Sequence, residues 1–440
     1  MLLPLKAFAE AVPDGARRTS DALVVDAVSL ISNSKVRQAA SLLDKAEKLD
    51  STNDAVKYYK GYVCIAENDA KGALENFRAA YLLDTTNYWY KSKLSYLYLV
   101  SGKRQDAMKI YKSMLRDRPY DAEVLSRVSD LYMDEGEYDK ADSLLGVIDM
   151  VQGESEFTEI SRIEILRQKG EYKTFFSRLN VYLATSERSG ADKSDLLSKM
   201  INGNDPRFNY AHLGEITTLV RTCLDTHPAD TAVAHFAISF FYSTGRMDDL
   251  FAVCNSFPGD FFAASAGYSA CMLKDDYEKA LEYCDRMALL PDAADPAKGA
   301  EIHAWRGDCY QYLGHDSRAC SEYDAALALS PDNIVVLNNY AYFMACKGRN
   351  LSKCLKMSRK VIEKEPENPT YLDTYAYILH RRKKYEEAKV YFKKAIIYGG
   401  KQHAEILEHY ADTLEALGET VLAEGIRQQA ALKRANEKKK

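Results

Sequence analysis

Apolar and small residues return along this chain on two periods at once. Over short distances they fall three and four residues apart, as in Ala39-Leu43-Ala46, Ala73-Phe77-Ala80, Ala141-Leu145-Ile148 and Ala388-Phe392-Ala395. That spacing places them on one face of an α-helix. Over longer distances the leading positions Ala39, Ala73, Ala107, Ala141 and Phe175 are each 34 residues apart. This is the length of a helix–turn–helix unit, whose apolar face only a neighbouring unit can cover. The ladder goes on at Ile216, Leu250, Ala280, Ala319, Cys354, Ala388 and Ala423, with spacings of 41, 34, 30, 39, 35, 34 and 35. Twelve slots predict an all-α solenoid of about twelve units.

Punctuation agrees with the ladder. Gly102, Gly136, Gly170, Gly245, Gly314, Gly348 and Gly418 follow the first helix of a pair, where a left-handed C-cap turn is expected. Pro119, Pro228, Pro331 and Pro366 follow second helices and stop them. The ladder loosens at Ser186–Gly190 and Gly203–Pro206, both rich in helix breakers. Residues 183–209 are therefore expected to form a distorted repeat or a hinge between two arrays, 20–182 and 210–434. Residues 291–296 form a second, shorter interruption that lengthens the turn before the helix containing Trp305.

The second helices read small-x3-large-x2-small, as in Ala107-Tyr111-Met114 and Ala319-Tyr323-Ala326. The first helices carry Gly61 and Gly307 at a shared position, with Ser95, Ser129, Ala341, Ala376 and Ala411 in its place elsewhere, and Tyr98, Tyr132 and Tyr310 three residues on. In this frame the chain resembles the tetratricopeptide repeat family over residues 20–434. The resemblance implies a right-handed solenoid whose first helices line a concave face holding a peptide or a helix. Leu337–Tyr342, Leu372–Tyr377 and Leu407–Asp412 are three copies of one motif. They resemble the C-terminal repeats of bacterial envelope-associated members. Arg427 takes a slot where an aromatic normally meets the next repeat, among Gln428, Gln429, Lys433 and Arg434. A polar capping helix is expected there.

Composition narrows the partner. The chain is 47% hydrophobic and 28% charged with net charge −5, which fits a folded protein. Acidic and basic residues are interleaved, so there is no positive stripe for a nucleic-acid backbone. The basic run at Lys433–Lys440 reads as a solvated helix end, with 435–440 a basic tail. No segment reaches the roughly 18 apolar residues of a membrane span. Residues 1–19 hold an apolar start and an Ala7-Phe8-Ala9 step of cleavage-site form, but no basic region precedes them. Two readings stay open: the remnant of an export signal, or a disordered or weakly helical leader. The compartment is accordingly the cytoplasm or the periplasm and cell envelope. Nine cysteines with no CxxC pair fall mostly on packing slots, which points to buried free thiols.

No phosphate-binding loop, nucleophile elbow or HExxH zinc motif occurs. Glu405, His409 and Asp412 share a helical face, read as a solvated one. Asp248-Asp249 and Asp275-Asp276 read as acids at helix N-termini. No enzyme, metal or cofactor is therefore expected. The expected function is a non-enzymatic scaffold that binds a protein or peptide in its groove, the alternative an exported envelope accessory protein assisting assembly or secretion. Counting inward positions along the first helices gives Tyr58, Tyr62, Trp89, Ser92 and Tyr96 at one end. At the other end it gives Asp308, Asn338, Tyr342, Asp373, Tyr377, Glu408 and Asp412. Aromatic anchors supply contact area and the acids favour a basic partner. The family's clamp for a C-terminal carboxylate lacks its basic residues at these acidic positions.

Overall fold

The computed structural model describes residues 13–437. Among them every regular element is helical, and the helices pair into twelve repeats with one short helix inserted. Repeats 1 to 5 are Asp14–Ser32 with Val36–Leu49, Asp54–Ala66 with Ala70–Leu83, Tyr88–Val100 with Arg104–Asp117, Ala122–Asp134 with Tyr138–Gln152, and Glu156–Gln168 with Tyr172–Thr185. Repeats 6 to 9 are Gly190–Gly203 with Leu213–Thr226, Thr231–Ser243 with Met247–Ser256, Phe261–Leu273 with Tyr277–Ala288, and Pro296–Tyr312 with Asp316–Leu329. Repeats 10 to 12 are Ile334–Cys346 with Leu351–Lys364, Pro369–Arg381 with Tyr385–Ile397, and Ala404–Ala416 with Thr420–Glu437. The chain forms two compact units, residues 1–182 and 183–440.

All twelve ladder positions lie on second helices and are at most 2% exposed. Their small side chains let the two helices of a pair close on one another. In repeat 2 the backbone of Gly61 lies against the Phe77 ring; in repeat 9 Gly307 lies against Tyr323. Aromatic residues then join one repeat to the next. The Tyr323 ring of repeat 9 stacks on Tyr340 of repeat 10 with centroids 5.1 Å apart.

The first helices begin on a second ladder. Asn53, Asn87, Asp121, Ser155 and Ser189 precede them at 34-residue spacing, and each side chain accepts a backbone N–H of its helix. Asp230, Asp260, Asp295, Asn333 and Asn368 continue the series. These caps satisfy N–H groups that no helix can satisfy internally. The turns into the second helices need a left-handed residue. Glycine supplies it at the seven positions read from sequence, and Ser34, Asn68, Asp275 and Lys383 supply it elsewhere. Asp275 therefore serves as a turn residue, and its carboxylate accepts from the Tyr277 hydroxyl at 2.6 Å. Asp249 pairs with Arg221 and Arg246. Asp248 and Asp249 lie in the first turn of Met247–Ser256, as expected, and Asp276 caps Tyr277–Ala288 with its side chain.

The long gap in the ladder is a repeat with an extra helix. Asp205 caps the six-residue helix Pro206–Ala211, which sits between the two helices of repeat 6. The interruption at 291–296 is a 3-10 turn, Pro291–Ala294, leading into the helix that carries Trp305. All nine cysteines are free thiols; Cys64 and Cys320 are half-buried and Cys346 exposed. Cys271 lies fully buried in the core. The Ala7-Phe8-Ala9 step and residues 438–440 lie outside the described residues.

Candidate functional site

In the second unit the first helices of repeats 10, 11 and 12 lie side by side. Equivalent positions, about 35 residues apart, therefore meet on one face. Tyr342 and Tyr377 face each other with ring centroids 5.4 Å apart. The His409 ring of repeat 12 sits 4.5 Å from Tyr377 and 6.0 Å from Tyr342. Its Nδ1 donates to both carboxylate oxygens of buried Asp373 at 3.1 Å. Its Nε2 lies 3.5 Å from the Tyr342 hydroxyl, which donates to Glu405 at 2.5 Å. Arg381 closes the cluster, donating to the Tyr377 hydroxyl and to the Cys346 carbonyl, each at 3.0 Å.

Charge at this cluster is unevenly spent. Burial pulls the His409 pKa down, but the hydrogen bond and charge of Asp373 outweigh it and leave it raised. Burial raises the Asp373 carboxyl. Glu408 pairs with Arg434, and Asp412 with Arg427, so both are neutralised within repeat 12. Asp308 accepts from Tyr323 at 2.5 Å and is pushed up to about 6, chiefly by burial. Glu405 differs. It is exposed, and among the described residues no basic group lies within ion-pair distance of it. Asn338, one helical turn before Tyr342, is 4% exposed, and its side-chain oxygen accepts no hydrogen bond.

The residues expected at the N-terminal end divide into two sets. Tyr58 packs against Tyr62, Phe77 and Tyr90, with centroids 5.2, 5.3 and 4.8 Å away. The Tyr58 and Tyr62 hydroxyls lie 3.3 Å apart. These two tyrosines thus build the junction between repeats 2 and 3. Trp89 is 67% exposed and Tyr96 53% exposed, and Ser92 lies with Tyr96 on a pocket of about 210 Å³.

Residues 300–333 and 370–396, which hold Asp308, Asp373 and Tyr377, match the tetratricopeptide repeat family. These two stretches are tetratricopeptide repeats. Solved structures with a similar course include yeast Tom70, at 16% identity over 87% of this chain and 85% of that one, TM-score 0.40. The APC/C hetero-tetramer Cut9–Hcn1 is 13% identical over 95% of this chain and 87% of that one, TM-score 0.39. A tetratricopeptide repeat protein from Parabacteroides merdae ATCC 43184 is 13% identical over 72% of this chain and 96% of that one, TM-score 0.34. No curated protein sequence matches the chain.

The tetratricopeptide repeat is a unit of protein–protein interaction scaffolds and is typically non-catalytic. Among the described residues no group of three or more His, Cys, Asp and Glu side chains is placed to hold a metal ion, and no helix is long and apolar enough to cross a membrane. The residue that sequence reasoning misplaced is His409. The sequence places it on a solvated helical face, yet it is mostly buried and bonded to a carboxylate 36 residues away. The readable signal was the repeat offset: positions 34 to 36 residues apart on neighbouring first helices face one another.

Proposed function

We propose that this chain is a non-enzymatic scaffold that holds a basic segment of a partner protein on the first-helix face of repeats 10 to 12. The observation that carries this reading is the Tyr342–Tyr377–Glu405 group. It offers two aromatic rings and a carboxylate with no basic partner. A Lys or Arg side chain set beside these rings gains a cation–π contact of about 0.5–2 kcal/mol. Glu405 adds a charge-assisted hydrogen bond, which is stronger than a neutral one. Arg381 donates to the Tyr377 hydroxyl, and His409, bonded to Asp373, packs against both rings.

Capture from a cell lysate by the immobilised full chain tests the reading. Proteins held through this face are expected to be lost from Glu405→Lys and from Tyr342→Ala/Tyr377→Ala, and kept by Leu289→Ala, a change at an exposed residue outside it. An identical set on all four proteins would overturn it.

A further inference from the structure

The pocket of about 210 Å³ in the first unit is lined by Tyr88, Ser92, Lys93, Tyr96, Met114 and Arg127, among others. It lies between the first helices of repeats 3 and 4, where Lys93 and Arg127 occupy corresponding positions 34 residues apart.

Several basic residues of these and neighbouring repeats are paired, Lys91 with Asp117, Lys57 and Lys60 with Glu47, Arg104 with Asp134 and Arg162 with Asp149, while Arg118 lies over the Tyr88 ring, 4.5 Å from its centroid. Among the described residues neither Lys93 nor Arg127 lies within ion-pair distance of a carboxylate. The Lys93 ammonium instead rests 5.1 Å from the centroid of the Tyr62 ring. One carboxylate, Glu123, also lines the pocket, which leaves it one positive charge in excess. Tyr96 and Ser92 add hydroxyls at the wall, and Met114 and Val124 give an apolar floor.

We propose that this pocket is a second binding site, taking an acidic side chain, with an apolar neighbour, from an extended segment of a partner protein. The size fits: about 210 Å³ is below the roughly 300–1,000 Å³ of small-molecule sites and suits one or two side chains. The charge fits, since a carboxylate between Lys93 and Arg127 offsets the pocket's excess positive charge. The rim fits as well, because exposed Trp89 and Tyr96 offer rigid contact area beside the pocket. The site lies wholly within repeats 3 and 4 and does not depend on the Glu405 cluster.

The probe is the labelled peptide acetyl-GSEFEGS-amide, whose blocked end carries no terminal carboxylate, titrated with the full chain by fluorescence anisotropy. The native chain and Glu405→Lys are expected to bind it alike, with affinity falling as salt rises. Lys93→Glu/Arg127→Glu is expected to bind at least tenfold more weakly while keeping the native circular dichroism melt. If that reversal does not fold, Lys93→Gln/Arg127→Gln is read by the same criterion. Equal affinity in the native and double-variant chains overturns the proposal. So does the absence of binding to the native chain, or equally tight binding of acetyl-GSKFKGS-amide.

Discussion

A methyl group placed on Gly61 would lie 2.6 Å from the Phe77 ring, and one on Gly267 would lie 2.4 Å from Tyr283. Both rings are buried. Gly61→Ala is therefore expected to cost about 1–3 kcal/mol by overpacking, as is Ala73→Leu from the other side of the same crossing. Urea unfolding at equilibrium measures both, and a change below about 0.5 kcal/mol would contradict the close approach. Gly61 and Ala73 are legible in the sequence because the fold requires a small residue at a fixed slot. His409 was not legible, because its partner lies on another repeat and burial there depends on how the repeats stack. It leads to a pH prediction. Asp373, Tyr342, Tyr377, His380, Arg381 and Phe392 face it from repeats 10 and 11, and Glu405 and Asp412 from its own helix. Its raised pKa means the folded state holds the proton more tightly, and raised Asp373 acts in the same sense. The stabilisation from His409 is full below its ordinary value of 6.5 and is lost as pH rises through its folded value. The drop in melting temperature from pH 6 to pH 8 is expected to be larger in the native chain than in His409→Gln.

Helices in this chain are set by their ends as much as by their faces. The cap ladder from Asn53 to Ser189 runs in step with the core ladder, so capping and packing specify the same repeat. Asn87→Ala removes one such cap, accepted at 3.0 Å by the Asn87 side chain from the Trp89 N–H, and is expected to cost about 1 kcal/mol. Lys383 holds a left-handed turn at φ 62° that costs a non-glycine residue about 1–2 kcal/mol. Lys383→Gly is accordingly expected to raise stability by about 1 kcal/mol, and thermal melts of the two variants would show shifts of opposite sign. Most helix pairs were legible because glycine, proline and the small-residue slots agree with one another. The helix Pro206–Ala211 was not, since six residues are too few to show a helical period beside two breakers. That insertion opens a pocket of about 550 Å³ lined by Ile201, Asn209, Tyr210, Leu213 and Phe240.

In each unit the helix pairs contact chiefly their neighbours in sequence, so stability is close to a sum of local terms. Ala388→Leu in repeat 11 is therefore expected to speed hydrogen exchange in repeats 10 to 12 and to leave repeats 1 to 3 at native rates. Uniformly faster exchange would contradict a stack of locally coupled repeats. The same modularity is why the all-α repeat architecture was readable from spacing alone while the chemistry of its surface was not. Tyr342, Asp373 and Tyr377 could be named from the frame, but the missing basic partner of Glu405 emerges only when repeats 10 and 12 are placed together. The most direct test of the binding face is a photo-crosslinking residue at position 377 of the full chain, with Glu405→Lys as control. The account predicts a crosslink to a partner through a Lys- or Arg-containing segment that disappears in the control. Crosslinks that persist unchanged in Glu405→Lys, or that map to segments without a basic residue, would contradict it.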